Sequence, residues 1–248
     1  MAAQKLPALY VGASGWHYTH WKGPFYPEKM PSREFLGHYV QYFRAAEVNN
    51  TFYQLPKSET LEQWRDSVPE GFRFAVKASR YITHMKKLKD PEQGLTKFFG
   101  GVEVLGEKLG PVLFQLPPNL KVDLERLETF MEALPSGYRY AFEFRNPAWW
   151  DDAVHELLGK RGAAACAADP AELDAQPAES ALVYARLHGP HGDYTGRYSE
   201  AALEDWAARL HAWRVQGREV YCFFNNDQGG AAPLDAQVLL AKLEEKAG

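Results

Sequence analysis

Eight short apolar runs, most of them separated by a stretch with helical periodicity, constrain the fold of this chain more than any other feature. Each run has the length and residue types of a β-strand. The predicted strands are LYVGAS (9–14), AEVNNTFY (46–53), FRFAVKAS (72–79), PVLFQL (111–116), RYAFEFR (139–145), AAACAAD (163–169), ALVYARLH (181–188) and EVYCFFNN (219–226). Strand alternating with helix eight times in 248 residues predicts an α/β protein, a single (β/α)8 TIM barrel.

An open, doubly wound sheet is the alternative fold for such an alternation. That fold usually carries a glycine-rich phosphate loop directly after its first strand. The segment GASG at 12–15 does not match the GxGxxG pattern, and the residues after it do not continue as a helix. No low-complexity linker or Ser/Gly hinge interrupts the pattern, so we predict one TIM-barrel domain over residues 1–248.

Composition excludes several classes of protein. The formal net charge of −4 gives no general attraction to nucleic acid or to an anionic membrane. No apolar run reaches the roughly 18 residues of a spanning helix, and the N-terminus is a poor secretory signal. Cys166 and Cys222 both fall in strand-like runs, which indicates buried thiols. We therefore expect a cytoplasmic protein without a membrane partner.

The polar faces of the predicted strands carry the candidate chemistry. Side chains alternate between the two faces of a strand, and helices cover the outside of a barrel, so we expect the polar faces to point inward. The expected inward-facing residues include Glu47, Asn49, Thr51, Tyr53, Lys77, Glu143, Arg145, Arg186 and His188. In the eighth strand the parity is ambiguous between Asn226 on one face and Asn225 with Asp227 on the other.

Buried charges in this set have two interpretations. Burying a charge costs several kcal/mol unless it is paired, so Glu47, Lys77 and Glu143 could neutralise one another as a structural network. Alternatively they belong to a site, because active sites of this fold lie at the carboxyl ends of the strands. The second interpretation is favoured for Arg145, Arg186 and His188, whereas both stay open for Glu47 and Lys77.

A loop rich in aromatic rings, GWHYTHWKGPFYP at 15–27, follows the first strand. Buried loops leave backbone groups unpaired, so these rings either cover a core or line a pocket. We expect the mouth of the pocket to be walled by Trp16, His17, Tyr18 and Trp21. The rings expected to pack beneath the loop, together with Pro27, are Phe25 and Tyr26.

Seven segments together carry a family resemblance. In order they are GASGWHYTHWKGPFYP, EVNNTFYQLP, FAVKASRYITH, GPVLFQLPP, FEFRNPAWW, ARLHGPHGDYTGRYS and CFFNNDQGGAA. They resemble the YecE-like family, known as domain of unknown function 72, from residue 11 to about 235. The resemblance implies a TIM-barrel fold and no established activity. The chain departs from the family pattern at Asp235, where Asn is expected, and at Asn50, where Ser is common.

These residues favour an enzyme that acts on a small anionic substrate, phosphorylated or nucleotide-like. Arginine offers planar donor forks for phosphate or carboxylate, and the glycine-rich loops at 188–198 and 225–232 can turn N–H groups toward an anion. The predicted catalytic residues are Lys77, Glu143 and His188: Glu143 or His188 is the general acid/base, and Lys77 the electrostatic stabiliser. The predicted substrate-binding residues are Trp16, Asn49, Tyr53, Arg145, Arg186, Asn226 and Asp227.

Three further expectations concern this site. We expect Arg145, Arg186 and His188 to converge and attract a phosphate, sulfate or carboxylate. We expect Lys77 and Glu143 to face each other. We expect no metal and no cofactor.

Two alternatives stay open. A divalent-metal hydrolase or isomerase could take its ligands from Glu143, Asp169, His188 and Asp227, although no HxH or HExxH spacing supports it. A non-catalytic binder could recognise nucleic acid or a protein through the aromatic loop and the basic run KASRYITHMKKLK at 77–89. Because the whole chain is acidic, a solvated helix face is the favoured explanation of that run. Sequence does not give the oligomeric state.

Overall fold

The computed structural model describes residues 6–169 and 180–247, and these contain eight strands. The strands are β1 (Leu9–Ala13), β2 (Ala45–Val48), β3 (Arg73–Lys77), β4 (Leu109–Leu116), β5 (Tyr140–Phe144), β6 (Ala164–Ala168), β7 (Leu182–Leu187) and β8 (Glu219–Phe224). They follow the order β1-β8-β7-β6-β5-β4-β3-β2 in one sheet, and the neighbouring pairs are parallel. This is the strand order of a (β/α)8 TIM barrel, so the predicted fold class is confirmed.

Helices follow most of the strands. They are α1 (Phe35–Tyr39), α2 (Ser58–Asp66), α3 (Pro91–Val102), α4 (Leu124–Glu132), α5 (Asp152–Lys160), α6 (Glu200–Val215) and α7 (Ala231–Ala247). Residues 170–179, between β6 and β7, lie outside the described part of the chain. No helix in the described part of the chain combines the length and the apolar character needed to cross a membrane.

Side-chain caps explain where three of the helices begin. The carboxylates of Asp123 and Asp151 accept from the backbone N–H groups of Arg126 and Ala153, at 3.0 and 2.9 Å. The hydroxyl of Ser199 likewise accepts from Ala202 at 3.2 Å. Each cap satisfies a donor that the first turn of a helix leaves without an intrahelical partner.

The apolar strand faces pack against helices, as the alternation predicts. Phe114 of β4 stacks on Phe142 of β5 with centroids 5.3 Å apart, and its ring also meets Phe130 of α4 at 5.1 Å. Alternation then places the register pair Gln115 and Glu143 on the opposite face. Both cysteines are buried within their strands, as expected, and burial raises the pKa of the Cys222 thiol.

The backbone of the chain groups into two compact units. The terminal unit comprises residues 6–46, 167–169 and 181–247 of the described chain, and the central unit comprises 47–166 with 180. The chain passes from one unit to the other within β2 and within β6. The prediction of one domain over residues 1–248 stays a prediction.

The second predicted strand is too long. β2 ends at Val48, and Asn50–Phe52 forms a 3-10 turn. Asn favours turns, and the hydroxyl of Thr51 closes this one by hydrogen bonds to the carbonyl oxygens of Val48 (3.0 Å) and Lys77 (2.7 Å). The predicted alternation of Asn49, Thr51 and Tyr53 on one strand face is therefore wrong.

Candidate functional site

His188 lies directly after β7 in the terminal unit and is only 1% exposed. Its Nδ1 atom is 3.2 Å from the amide nitrogen of Asn225, which follows β8. An amide nitrogen can only donate, so Nδ1 accepts and the proton of the neutral ring lies on Nε2. The edge of Tyr194 contacts the same imidazole, with ring centroids 5.1 Å apart. Asn225 and Tyr194, both in the terminal unit, thus contribute to the position and tautomer of this histidine.

A buried polar network joins the end of β8 to the start of α7. The amide nitrogen of Asn226 donates to the carbonyl oxygen of Gly196 at 2.7 Å and to Oδ2 of Asp235 at 2.8 Å. Asp235, which is fully buried, also accepts from Nε of Arg197 at 2.5 Å and from the backbone N–H of Tyr198 at 3.1 Å. The network holds the loop after β7 against two other elements.

The oxygen atom of the Asn226 amide, Oδ1, takes no part in this network. Asn226 is fully buried, and its Oδ1 has no hydrogen-bond partner among the described residues. Because the nitrogen of the same amide meets two acceptors, the group cannot be turned over to satisfy the oxygen. A buried acceptor without a partner costs about 1–3 kcal/mol. A donor brought to this oxygen would remove that cost.

Gly189 follows His188 and permits the close packing around Asn226. Its φ is +96°, and a Cβ atom there would lie 2.4 Å from the carbonyl oxygen of Thr195. Its N–H donates to the Tyr198 hydroxyl at 2.8 Å. That hydroxyl also bonds to Asp169, and burial is the main cause that raises the pKa of Tyr198. A side chain at position 189 would disrupt this arrangement.

Asp227 anchors the aromatic loop through its backbone. Its carbonyl oxygen accepts from Trp21 Nε1 and from His20 Nε2, both at 2.8 Å. Its carboxylate lies 3.7 Å from His20 Nε2 and is 28% exposed, and burial raises the pKa of this carboxyl. The Asp227 side chain is thus partly accessible to solvent.

Two rings of the aromatic loop that are expected at the pocket mouth, Trp16 and Trp21, are buried in the structure. Trp21, expected at the pocket mouth, is completely buried and packs against Tyr18 and Tyr26, because its indole nitrogen finds a partner inside. Tyr26 packs beneath the loop, as predicted: its ring stacks on Phe35 at 4.1 Å, and its hydroxyl donates to the carbonyl oxygen of Trp16. Trp16 itself is buried.

In the central unit a buried carboxylate is paired at the end of β5. Glu143 is 1% exposed, and its Oε1 lies 2.6 Å from Nε of Arg145, whose side chain is 29% exposed. The acid therefore lies inside and the guanidinium reaches toward solvent. The pairing is close enough for a charge-assisted contact.

Lys77 ends β3 and belongs to a second cluster of the central unit. Its ammonium lies 4.3 Å from the centroid of the Phe52 ring, a cation–π contact. The imidazole of His84 meets the same ring edge-on at 4.9 Å. Burial, followed by the charges of Lys77 and Arg80, lowers the pKa of His84. The charges of Lys77 and Arg80 thus contribute a positive potential at His84.

Register relates the two central groups. Lys77 pairs with Leu113 on β4, whereas Glu143 pairs with Gln115, two residues further along. Glu143 is thus one row nearer the carboxyl ends of the strands. That Lys77 faces Glu143, and that Arg145, Arg186 and His188 converge, stay predictions. Asn49, also predicted to bind substrate, has a buried Oδ1 without a hydrogen bond to the described chain.

Sequence reasoning missed the organising role of three residues. They are Asp235, Arg197 and Tyr198, whose contacts fix the loop after β7. The departure from the family pattern at position 235 was the available signal. Tyr53, predicted to bind substrate from a strand face, is instead 72% exposed after the 3-10 turn. Among the described residues no three His, Cys, Asp or Glu side chains group to hold a metal ion, so the metal alternative gains no ligand set.

Known proteins share this architecture and sequence pattern. The family described as "Protein of unknown function DUF72" matches residues 10–248. The UPF0759 protein YunF of Bacillus subtilis is 28% identical over 95% of both chains. The UPF0759 protein YecE of Escherichia coli K12 is 27% identical over 70% of this chain and 61% of its own. A crystal structure of a DUF72 family protein from Thermotoga maritima superposes with a TM-score of 0.86, at 30% identity, over 96% of this chain and 99% of that one.

Proposed function

The chain belongs to the DUF72 family, and we propose that it is an enzyme acting on a small anionic substrate at the ends of β7 and β8. The observation that carries the proposal is the buried Oδ1 of Asn226, which has no partner within the described residues. It lies in the network that also holds the loop starting at His188. A substrate hydroxyl or amine that donates to this oxygen would remove the cost of leaving it unsatisfied.

His188 is the proton-transfer group of the proposed reaction. Its neutral ring carries the proton on Nε2 because the Asn225 amide donates to Nδ1. Histidine titrates near neutral pH, which suits general acid–base catalysis. Since the ring is buried and fixed by Asn225 and Tyr194, little reorganisation is needed when a proton moves.

The anion is held by backbone and by arginine. Positive φ angles at Gly196 and Gly229 allow each loop to turn an N–H group toward an anion. The N–H groups of Gly189, Gly192 and Gly230 already donate within the protein. Loops after the seventh and eighth strands are the usual phosphate site of this fold. Arg186, buried in β7, supplies a permanent positive charge suited to phosphate or carboxylate. Lys77, Glu143 and Arg145 keep their predicted roles as hypotheses that substitution tests separately.

Thermal unfolding in phosphate tests this function. With about 10 mM phosphate and a Kd near 1 mM, we expect the wild-type Tm to rise by about 3–5 °C. The increase should disappear in Arg186→Ala and shrink in Arg186→Lys, which keeps the charge but loses the planar fork. The matched control is Arg33→Ala, since Arg33 is an exposed arginine of the same unit. Equal stabilisation of wild type and both Arg186 variants would refute the anion site.

The proton-transfer role of His188 is tested separately, whether or not phosphate binds. His188→Gln keeps a polar side chain but cannot transfer a proton near neutral pH. When a turnover assay is found by screening phosphate esters and carboxylates, this variant should lower kcat by at least about 100-fold. Full activity of His188→Gln would remove histidine from the mechanism.

A further inference from the structure

A groove of about 590 Å³ lies wholly within the central unit. We call it the tyrosine groove. Its walls come from the loop after β2, the loop after β3 and helix α3. Its lining residues are Tyr53, Gln54, Leu55, Ser79, Tyr81, Ile82, Gln93, Gly94, Lys97 and Phe98. The volume is within the usual range for small-molecule sites, about 300–1,000 Å³.

Close packing of both loops on α3 builds the groove. A Cβ atom at Gly101 would lie 1.8 Å from Leu55 of the first loop, and one at Gly94 would lie 3.0 Å from Ile82 of the second. A side chain at either glycine would force Leu55 or Ile82 to shift. The two loops therefore pack closely against α3 at these positions.

Two exposed aromatic rings line this groove. Tyr53 is 72% exposed and Tyr81 is 37% exposed, and both line it. The ring of Tyr53 is supported from behind by Phe52 in an edge-to-face contact at 5.0 Å. Exposed rings that share one groove offer faces on which a planar ligand can stack.

The backbone before α3 carries an additional signal. Three of the four non-glycine residues with positive φ in the described chain are Lys87, Leu88 and Asp90. They follow the π-helical turn Tyr81–Met85 and immediately precede the helix that carries Gln93 and Lys97. Such strained backbone is retained where surrounding structure holds it and often accompanies function.

The charge of the groove selects the kind of ligand. Among its lining residues Lys97 is the charged one, and no carboxylate lines it. Two further bases, Lys77 and Arg80, lie close in the chain to the lining residues Ser79 and Tyr81. The amides of Gln54 and Gln93 and the hydroxyl of Ser79 can both donate and accept hydrogen bonds. Such a lining suits a ring compound with a polar edge and one negative charge.

We propose that the tyrosine groove binds a planar aromatic or heteroaromatic ring that carries one anionic group, a ligand of mononucleotide size. The ring stacks on Tyr53 and Tyr81, the amides contact its polar edge, and Lys97 binds the anion. The proposal goes beyond the function proposed above, and it rests on residues of the central unit alone.

Binding of AMP and of 4-hydroxybenzoate, measured by calorimetry and by ligand-observed NMR, tests the groove and separates its two possible ligand sources. Adenosine supplies the ring without the charge, and ribose 5-phosphate supplies the charge without the ring. We expect at least one of the two anionic ring compounds to bind more tightly than either adenosine or ribose 5-phosphate. Tyr53→Ala should weaken that binding roughly tenfold, a typical loss for one stacked ring.

Further variants place the ligand within the groove. Lys97→Met should weaken binding of the anionic ring compound about tenfold and leave adenosine unchanged. Tyr42→Ala and Lys57→Met are matched controls at exposed positions outside the groove, and we expect both to bind as wild type. Arg186→Ala should also keep this affinity, which separates the groove from the anion site proposed above.

Three results would overturn the proposal. The first is the lack of saturable binding of either anionic ring compound up to about 5 mM, the limit of any useful affinity. The second is unchanged affinity in both Tyr53→Ala and Lys97→Met. The third is binding of ribose 5-phosphate as tight as that of the ring compounds.

Discussion

The loop at 15–27 and the two short segments that carry Tyr53 and Tyr81, after β2 and after β3, all place aromatic side chains outside the strands and α-helices of the barrel. The rings of the loop and the rings of the two segments nevertheless lie in opposite surroundings. In the loop, Trp21 and Tyr26 are completely buried. In the two segments, Tyr53 and Tyr81 face solvent. The difference in burial is explained by hydrogen bonds of the polar atoms on the rings. Trp21 Nε1 and the Tyr26 hydroxyl both donate to backbone carbonyl oxygens. A ring that must bury a donor can do so only where an acceptor is waiting.

The comparison also distinguishes rings that pack within the fold from rings whose faces are available to a ligand. Tyr26 stacks nearly parallel on Phe35, with an interplanar angle of 2°, so both ring faces in that contact are used within the fold. The exposed ring of Tyr53 has one edge-to-face neighbour, Phe52, among its ring contacts in the described chain. Rings of the first kind stabilise a loop, and rings of the second kind are available to a ligand.

The largest expected effect comes from removing a buried ring. Trp21→Ala deletes a fully buried indole and its hydrogen bond, and should lower the free energy of unfolding by about 3–5 kcal/mol. Tyr53→Ala, at an exposed ring, should change it by no more than about 0.5 kcal/mol. Urea unfolding of both variants measures the contrast. Similar losses would break the distinction drawn between the loop and the two segments.

A buried polar partner should matter nearly as much as a ring. Asp235 accepts from Arg197, from the Tyr198 N–H and from Asn226. Asp235→Asn keeps the shape but removes the charge, and should cost about 1.5–3 kcal/mol. Asp205→Asn, at an exposed carboxylate of α6, is the control and should be near neutral. An Asp235→Asn variant as stable as wild type would show that the network is not a stabilising one.

Removing a single hydroxyl group should have a smaller effect on stability. It separates the contribution of the hydrogen bond from that of the packed ring. Tyr26→Phe removes the bond to the Trp16 carbonyl and keeps the stacking on Phe35, so it should cost about 1 kcal/mol. Tyr53→Phe should cost nothing measurable, since the Tyr53 hydroxyl has no hydrogen bond to the described chain. Urea unfolding measures the free energy of unfolding of both variants. Equal values for Tyr26→Phe and Tyr53→Phe would contradict the role given to the Tyr26 hydroxyl.

The smallest expected effect is a pH dependence at His84. Its pKa in the folded protein is below the ordinary 6.5, through burial and then Lys77 and Arg80. Neutral His84 therefore stabilises the fold above pH 6.5, and that contribution is lost as the pH falls through 6.5 toward the lowered pKa. An NMR titration should give a midpoint below 6.5 that rises in Lys77→Met.

A second readout for His84 is the acid dependence of stability. Because neutral His84 favours the folded state, unfolding of the wild type should become easier on acidification more steeply than unfolding of His84→Gln. A midpoint at or above the ordinary value of 6.5 would contradict the positive potential assigned to the cluster.

Features that depend on the periodicity of the sequence were predicted correctly, whereas features decided by contacts between residues distant in the chain were not. The eight strands follow from alternation, and their bounds differ by a few residues. The extension of β2 to Tyr53 was wrong because the Thr51 hydroxyl binds two carbonyl oxygens, one of them distant in sequence. The burial of Trp21 depends on the carbonyl oxygen of Asp227, 206 residues away. No pattern within the loop itself contains that information.

The candidate site shows the same limit. The position of Asn226 at a strand end predicts a substrate-binding role. That its Oδ1 lacks a hydrogen bond follows from two contacts that the sequence does not show, because the amide nitrogen donates to Gly196 and Asp235. The alternation of side chains along the eighth strand does not show whether Asn225 or Asn226 faces the inside of the barrel. The structure gives the two side chains different tasks: Asn225 contacts His188, and Asn226 joins the buried network.

The division of the chain into two units has a consequence for its synthesis. Leu9 of β1 pairs with Val220 of β8, so the first strand leaves the ribosome long before its partner exists. Strands β3, β4 and β5 find their partners among one another soon after each is made. Contacts close in sequence form fastest, and chains fold from the N-terminal side during synthesis. Here the order is inverted: the middle of the chain can pair first, while its beginning waits for its end.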